Sequence, residues 1–254
     1  MIDLTKTLKE LGINKSDTLM VHGNAGVSAQ YVSVDNDQRL EYFFDQLVAY
    51  IVDEGTIVVP AFSYSFTKNE DFNVNMSESE VGQFSEYFRK RNDSTRSFHP
   101  IFSTSSLGKL SSEFQKSTSN DCFGVNTTFD LLYKKNAKLV CFGCSLDRIT
   151  FIHYVEQAAN VSYRHFKYFH GKVIDNSTSF TQKTRYFVRD LNIDSTCSLS
   201  SLKDELKKRG MLKEAIFGRF PVFSIDALDF FNVANEMILE DEYSHIKQES
   251  KNDF

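Results

Sequence analysis

Tryptophan is absent from this 254-residue chain, proline occurs three times, and no apolar run is long enough to span a bilayer. So few prolines, with no internal repeat, argue against a linker-joined, low-complexity or repeat protein. The four cysteines are too few for a disulfide framework in a chain of this length. They read as reduced thiols. Charge of one sign is lacking too: 34 acidic against 29 basic residues give a mild net charge of -5, without the basic footprint of a nucleic-acid binder. The segment from Met1 to Leu11 alternates apolar and charged residues at helical spacing, unlike a signal peptide or a membrane span, so a cytoplasmic location and no membrane partner are expected. What the chain does have is 24 Phe, 11 Tyr and an apolar fraction of 41%, enough for one packed core, and residues 1–254 are read as a single domain.

The pattern of elements is that of an α/β protein. Asp17 to His22 is a short apolar run that reads as a buried strand, Asn36 to Asp53 carries apolar residues three and four apart as a helix would, and Thr56 to Pro60 is a second buried strand. Helices are expected over Ser77 to Arg89 and Ser105 to Gln115. Lys138 to Phe142 reads as a third buried strand, followed by a glycine turn and a helix from about Ile149 to Asn160. Tyr163 to Asp190 is rich in β-formers around Asp175-Asn176-Ser177, which predicts a hairpin. Helices over Leu199 to Arg209 and Ile225 to Leu239 bracket a short strand, and the charged stretch after Glu240 is expected to fray.

Chemistry concentrates between Cys141 and Glu156, where a buried strand runs through Gly143 into a helix, the place where α/β proteins put ligands. On that helix Ile149, Ile152, Val155 and Ala159 form an apolar stripe, with His153, Glu156, Gln157 and Asn160 beside it. His153 and Glu156 therefore share a face. Periodicity alone favours Asp147 as a helix cap and His153 as a satisfied boundary histidine. Cys141 and Cys144 form a C-x-x-C, which opens a thiol-redox or metal-binding alternative. No second ligand pair completes a zinc site, and Cys141 inside an apolar strand reads as core, so no metal is expected.

The series Gly143, Asp147, Thr150, His153 and Glu156 resembles the signature of the aminoglycoside 3-N-acetyltransferase family. Four further segments resemble it in the same order: Ser16 to His22; Gly55 to Tyr64; Arg96-Ser97-Phe98-His99-Pro100 with Ser103 and Gly108; and Asp121 to Gly124 with Phe129, Leu132 and Tyr133. Two departures stand out. Gly23-Asn24 replaces the family's serine pair, and the hairpin from Asn176 to Thr184 matches poorly. The resemblance implies an antibiotic N-acetyltransferase-like fold, a mixed central sheet flanked by helices with a β-hairpin-rich C-terminal part. It also implies transfer of an acyl group from acetyl-CoA or another acyl-CoA to the amine of an amino sugar.

That reaction needs a base to take the amine's proton and donors for the developing oxyanion. The resemblance makes His153 the base, with Glu156 or Asp147 orienting its ring and Thr150 donating toward the oxyanion. It points to Arg96, His99 and Ser103 for the coenzyme, with His22, Gly23 and Asn24 along its pantetheine arm, and to Tyr64, Arg164 and Lys167 for the acceptor. No serine or cysteine stands in a nucleophile elbow, so direct attack is preferred to an acyl-enzyme. Ser162 to Asp190 carries six basic residues against two acidic ones, and the run Tyr163 to Phe169 resembles family members associated with surface-polysaccharide biosynthesis. A nucleotide-linked amino sugar is therefore the expected acceptor, with an aminoglycoside antibiotic as the alternative.

Overall fold

A computed structural model describes residues 2–116 and 120–247. In chain order the elements are α1 (Leu4–Glu10), β1 (Thr18–Gly23), α2 (Arg39–Ile51), β2 (Thr56–Pro60), β3 (Phe72–Asn73), α3 (Gln83–Arg89), β4 (Thr95–Arg96), β5 (Thr104–Gly108), α4 (Ser111–Gln115), α5 (Thr128–Lys134), β6 (Lys138–Phe142), α6 (Ile152–Ala159), β7 (Arg164–Asp175), β8 (Thr178–Arg189), α7 (Ser200–Lys208), β9 (Lys213–Phe217), β10 (Phe220–Asp226) and α8 (Ala227–Glu240). Short 3-10 turns follow β1 (Ala25–Gln30), β2 (Ser65–Lys68) and β6 (Leu146–Arg148).

Seven strands form the central sheet in the order β4-β5-β2-β1-β6-β10-β9. β1 runs parallel to both β2 and β6, while β5 and β10 pair antiparallel on either side of that trio. The sheet is mixed, as expected. The alternation of a strand splits its side chains between two layers. Leu19, Val21, Ile57, Val59, Val140 and Phe142 face one layer with α1, α2 and α3, and Met20, Val58, Leu139 and Cys141 face the other with α5, α6, α7 and α8. A second sheet, β3-β7-β8, carries the expected hairpin, with Asn176 at φ 52 in its turn. Among the described residues no helix is long and apolar enough to cross a membrane.

Three segments differ from expectation. Residues 77–82 are irregular, and α3 starts only at Gln83 after Gly82 at φ 104; the amides of Ser79 and Glu80 bond to Glu86 and to the Phe62 carbonyl instead of winding a turn. Thr104–Gly108 is a strand, pairing from Pro60 opposite Thr104 to Thr56 opposite Gly108, and only Ser111–Gln115 is helical. Small hydroxyl residues fill this strand and are fully buried, so hydropathy does not reveal it. α6 begins at Ile152, because residues 146–148 form a separate 3-10 turn. Of the stretch after Glu240, Ile246 bridges Cys197, and residues 248–254 lie outside the described residues.

Candidate active site

A cleft of about 840 Å³ opens where β1, β2 and β6 end. Its walls are the loop of His22, Gly23, Asn24 and Ala25, the segment from Glu80 to Ser85, the loop of Phe62 and Tyr64, and the turn carrying Gly143, Cys144, Ser145, Asp147, Arg148 and Thr150. Parallel neighbours β1 and β6 direct both of their following loops to the same edge, which is why sequence-distant residues meet there. Gly143 makes the turn out of β6 with φ +63, and a Cβ there would lie 2.8 Å from Val27 and 2.9 Å from Phe220. Gly23 is equally confined. A Cβ on it would meet the Phe84 ring at 2.6 Å, so the aromatic ring fills the space that a side chain at this position would need.

His153 and Glu156 come together one turn apart on α6, with His153 Nδ1 2.6 Å from Glu156 Oε2. Glu156 is 0% exposed and the His153 side chain 22%. The other carboxylate oxygen, Oε1, accepts from the Tyr163 hydroxyl at 3.0 Å, and Arg164 Nε lies 2.9 Å from Oε2. Burial pushes the Glu156 carboxyl up, but His153, Arg164 and Tyr163 together outweigh it and hold the group below its usual range. Burial and the Arg164 charge lower the His153 pKa, with Glu156 opposing. A carboxylate can only accept, so the short contact assigns the proton to Nδ1 and leaves Nε2 with a free lone pair. Thr150, one turn earlier, lines the cleft, and the Phe123 ring packs 5.4 Å from the imidazole, connecting it through Phe102 to Tyr64.

Of the two carboxylates that the sequence leaves open, Glu156 touches His153. Asp147 lines the cleft but takes the Leu199 amide at 2.7 Å and the Ser145 hydroxyl at 3.1 Å, tying the turn to the start of α7 rather than capping α6. His22, Gly23 and Asn24 stand in the cleft wall. His22 is buried without a well-formed hydrogen bond, and burial lowers its pKa to about 4 despite the nearby Val140 carbonyl. Tyr64 also lines the cleft, with a left-handed backbone at φ 53 that is unusual for an aromatic residue.

The residues expected to hold the coenzyme from the 96–103 loop do not reach the cleft wall. Arg96 is buried, donating to the Ala61 carbonyl at 2.6 Å, the Val74 carbonyl at 3.1 Å, the Ser103 hydroxyl at 3.1 Å and the Ser77 carbonyl. Ser103 bonds the same Ala61 carbonyl at 2.6 Å. His99 accepts from the Phe102 and Ile101 amides on Nδ1 at 2.9 and 3.3 Å, and its Nε2 lies 3.2 Å from the Asp121 carbonyl. With both nitrogens bound to backbone, all three serve to fix the loop. Arg164 is likewise buried in the His153 network rather than free for substrate, and Lys167 is exposed on β7, over the Phe169 ring.

Sequence reasoning missed Tyr163, Glu80, Phe84, Phe123 and Arg148. The signal for Tyr163 was a breaker: Asn160 ends α6 at φ 52, and the chain folds back so that residues 163 and 164 lie over the helix they follow. Among the described residues no three His, Cys, Asp or Glu side chains are placed to share a metal ion.

Among curated protein sequences none matches the chain closely enough to serve as a relative. Solved structures do resemble it. The aminoglycoside acetyltransferase AAC(3)-IIb superposes with a TM-score of 0.79 at 18% identity, covering 94% of this chain and 96% of that one. AAC-IIIb in a binary complex with CoASH gives 0.78 at 18%, covering 93% and 95%, and the YokD protein from Bacillus subtilis 0.77 at 17%, covering 96% and 94%. At such identities the likeness speaks for the fold, whereas the family model for aminoglycoside 3-N-acetyltransferase matches the sequence itself over residues 26–239. With that match covering most of the chain and including the His153–Glu156 pair, the chain belongs to the aminoglycoside 3-N-acetyltransferase family.

Proposed function

We propose that this protein is an acyl-CoA-dependent N-acyltransferase that acylates the amine of a nucleotide-linked amino sugar, with His153 as general base. The observation that carries the base assignment is the buried carboxylate of Glu156 held 2.6 Å from His153 Nδ1. It fixes the tautomer whose Nε2 takes the proton as the amine attacks the thioester carbonyl, and it stabilises the imidazolium that results. Thr150 stands one turn from the base, on the cleft wall, where a hydroxyl can donate to the oxyanion. The thioester arm lies along His22, Gly23 and Asn24, on the cleft wall at the end of β1. AAC-IIIb, whose structure contains CoASH, has the same fold.

For the acceptor, the cleft wall speaks against a polycation. Its carboxylates are Glu80 and Asp147, and both are engaged, Glu80 by Lys68 and Asp147 by the Leu199 amide and Ser145. A site for an aminoglycoside needs unengaged carboxylates. Lys167, Lys172 and Lys183 instead stand exposed on the β7–β8 ribbon, which packs by Gly171 against Phe66 in the turn after Tyr64. Cations there suit a diphosphate. Two related folds are seen with sisomicin and with a gentamicin, which keeps the drug-resistance reading as the rival. Thiol release from acetyl-CoA decides between them. kcat/KM is measured for kanamycin-type and gentamicin-type drugs beside dTDP- and UDP-linked amino sugars, and efficient acylation of the drugs with the nucleotide sugars ignored defeats the biosynthetic reading.

A further inference from the structure

The His153–Glu156 pair is set against a third charge. Arg164 enters from the first residue of β7, is 5% exposed, and donates through Nη1 to the Phe187 carbonyl at 3.1 Å while Nε stands 2.9 Å from Glu156 Oε2. Its remaining nitrogen, Nη2, lies 2.9 Å from His153 Nδ1. Guanidinium nitrogens carry only donors, and Nδ1 already directs its proton to Glu156, so this last contact is an approach of two positive edges rather than a hydrogen bond. We propose that Arg164 is a positioning residue for the general base: it neutralises the buried Glu156 carboxylate, holds it in line with His153, and keeps the resting imidazole unprotonated.

The charges decide the matter. With Arg164 present, Glu156, Arg164 and neutral His153 sum to zero in a buried site, and taking the acceptor's proton adds one positive charge beside a guanidinium. Without it, Glu156 and His153 carry an uncompensated negative charge at rest, which proton uptake removes. Burial and Arg164 both lower the His153 pKa, in agreement with this arrangement. The groups facing the imidazole are Glu156 from its own helix, Arg164 from β7 and the Phe123 ring. Asp121 and Arg185 form the next ion pair out, joined to α6 through Gln157. Tyr163 donates to Glu156 Oε1 and supplies no charge.

This inference rests on the proposed role of His153, and the test separates the two. The pH dependence of kcat/KM is measured for wild type, Arg164→Gln, Arg164→Lys and His153→Ala, with His153 followed by 15N NMR in the free enzyme. In Arg164→Gln the acid limb should move up by about one pH unit, because the pair takes up its proton more readily. In Arg164→Lys, which keeps the charge but loses the fork, the limb should stay near wild type while kcat falls. A slower Arg164→Gln enzyme with an unmoved limb overturns the proposal and leaves a packing role. Should that variant not fold, the wild-type spectrum decides: a proton on Nε2 of His153, or titration above the ordinary imidazole range, overturns it equally. Near-normal turnover of His153→Ala removes the base assignment itself, whereas an inactive His153→Ala beside an unshifted Arg164→Gln profile removes only the role of Arg164.

Discussion

At the scale of single residues the proposed chemistry rests on one imidazole. His153→Ala removes the imidazole held against the buried Glu156 carboxylate, and kcat should fall by about two to four orders of magnitude, the range for a general base. Calorimetric titration should show acyl-CoA binding largely kept, and turnover near the wild-type rate at neutral pH would remove the assignment. Cys144 makes the opposite prediction. It lines the cleft beside buried Cys141, whose thiol hydrogen bond lowers the Cys144 pKa, with Arg148 adding to the effect. Yet no further ligand completes a metal site among the described residues. Cys144→Ser should keep activity within a few-fold, and chelators should not change it. Stoichiometric zinc in the purified protein, or activity that follows oxidation state, would favour the redox or metal alternative. His153 and Glu156 were legible in the sequence because three residues of one helix bring them to one face. Arg164 was legible as a cation near the helix, but not as a buried one, since only the fold shows that its guanidinium turns inward to Glu156.

At the scale of elements, the cleft depends on how tightly β1 and α3 meet. Gly23 closes β1 against Phe84 on α3, and that ring is itself wedged by Phe43 and Phe44 at 5.7 and 4.6 Å between centroids. With those two rings on its flank, Phe84 can give way only toward the cleft that it lines. Gly23→Ser should therefore destabilise the protein by about 1–3 kcal/mol, the usual cost of overpacking. Urea denaturation measures this, and an unchanged midpoint would mean that Phe84 yields freely. The same contact gives a physical reason for the departure at Gly23-Asn24, where the chain replaces the family's serine pair. Strands β1, β2 and β6 and the hairpin were read correctly because runs of buried β-formers bounded by turn residues are local signals. The start of α3 and the strand β5 were not, because both are decided by pairing with β2 and with loop carbonyls rather than by their own apolar spacing.

At the scale of the whole molecule, buried histidines couple stability to pH. His22 and His99 are buried, and desolvation lowers each to about 4 from an ordinary 6.5. In the unfolded chain both protonate near 6.5, so below that pH the unfolded state binds protons that the native state refuses. Their contribution is whole above pH 6.5 and is lost as pH falls toward 4. Thermal midpoints should drop steadily across that window, by several degrees or more, and a flat profile would show that these imidazoles charge without leaving the core. The sequence by itself determined the α/β class, the places of the buried strands along the chain and the shared helix face of His153 and Glu156, because each follows from spacing within one segment; that Glu156 and not Asp147 touches the imidazole was decided by the fold. Tertiary structure alone decided that Arg96, His99 and Ser103 brace a loop instead of facing the cleft, and that Asp147 holds α7. It also decided that the Arg164 guanidinium turns inward against the Glu156 carboxylate. Each of these depends on which backbone carbonyl or carboxylate lies within about 3 Å once distant strands have come together, and no local pattern encodes that distance.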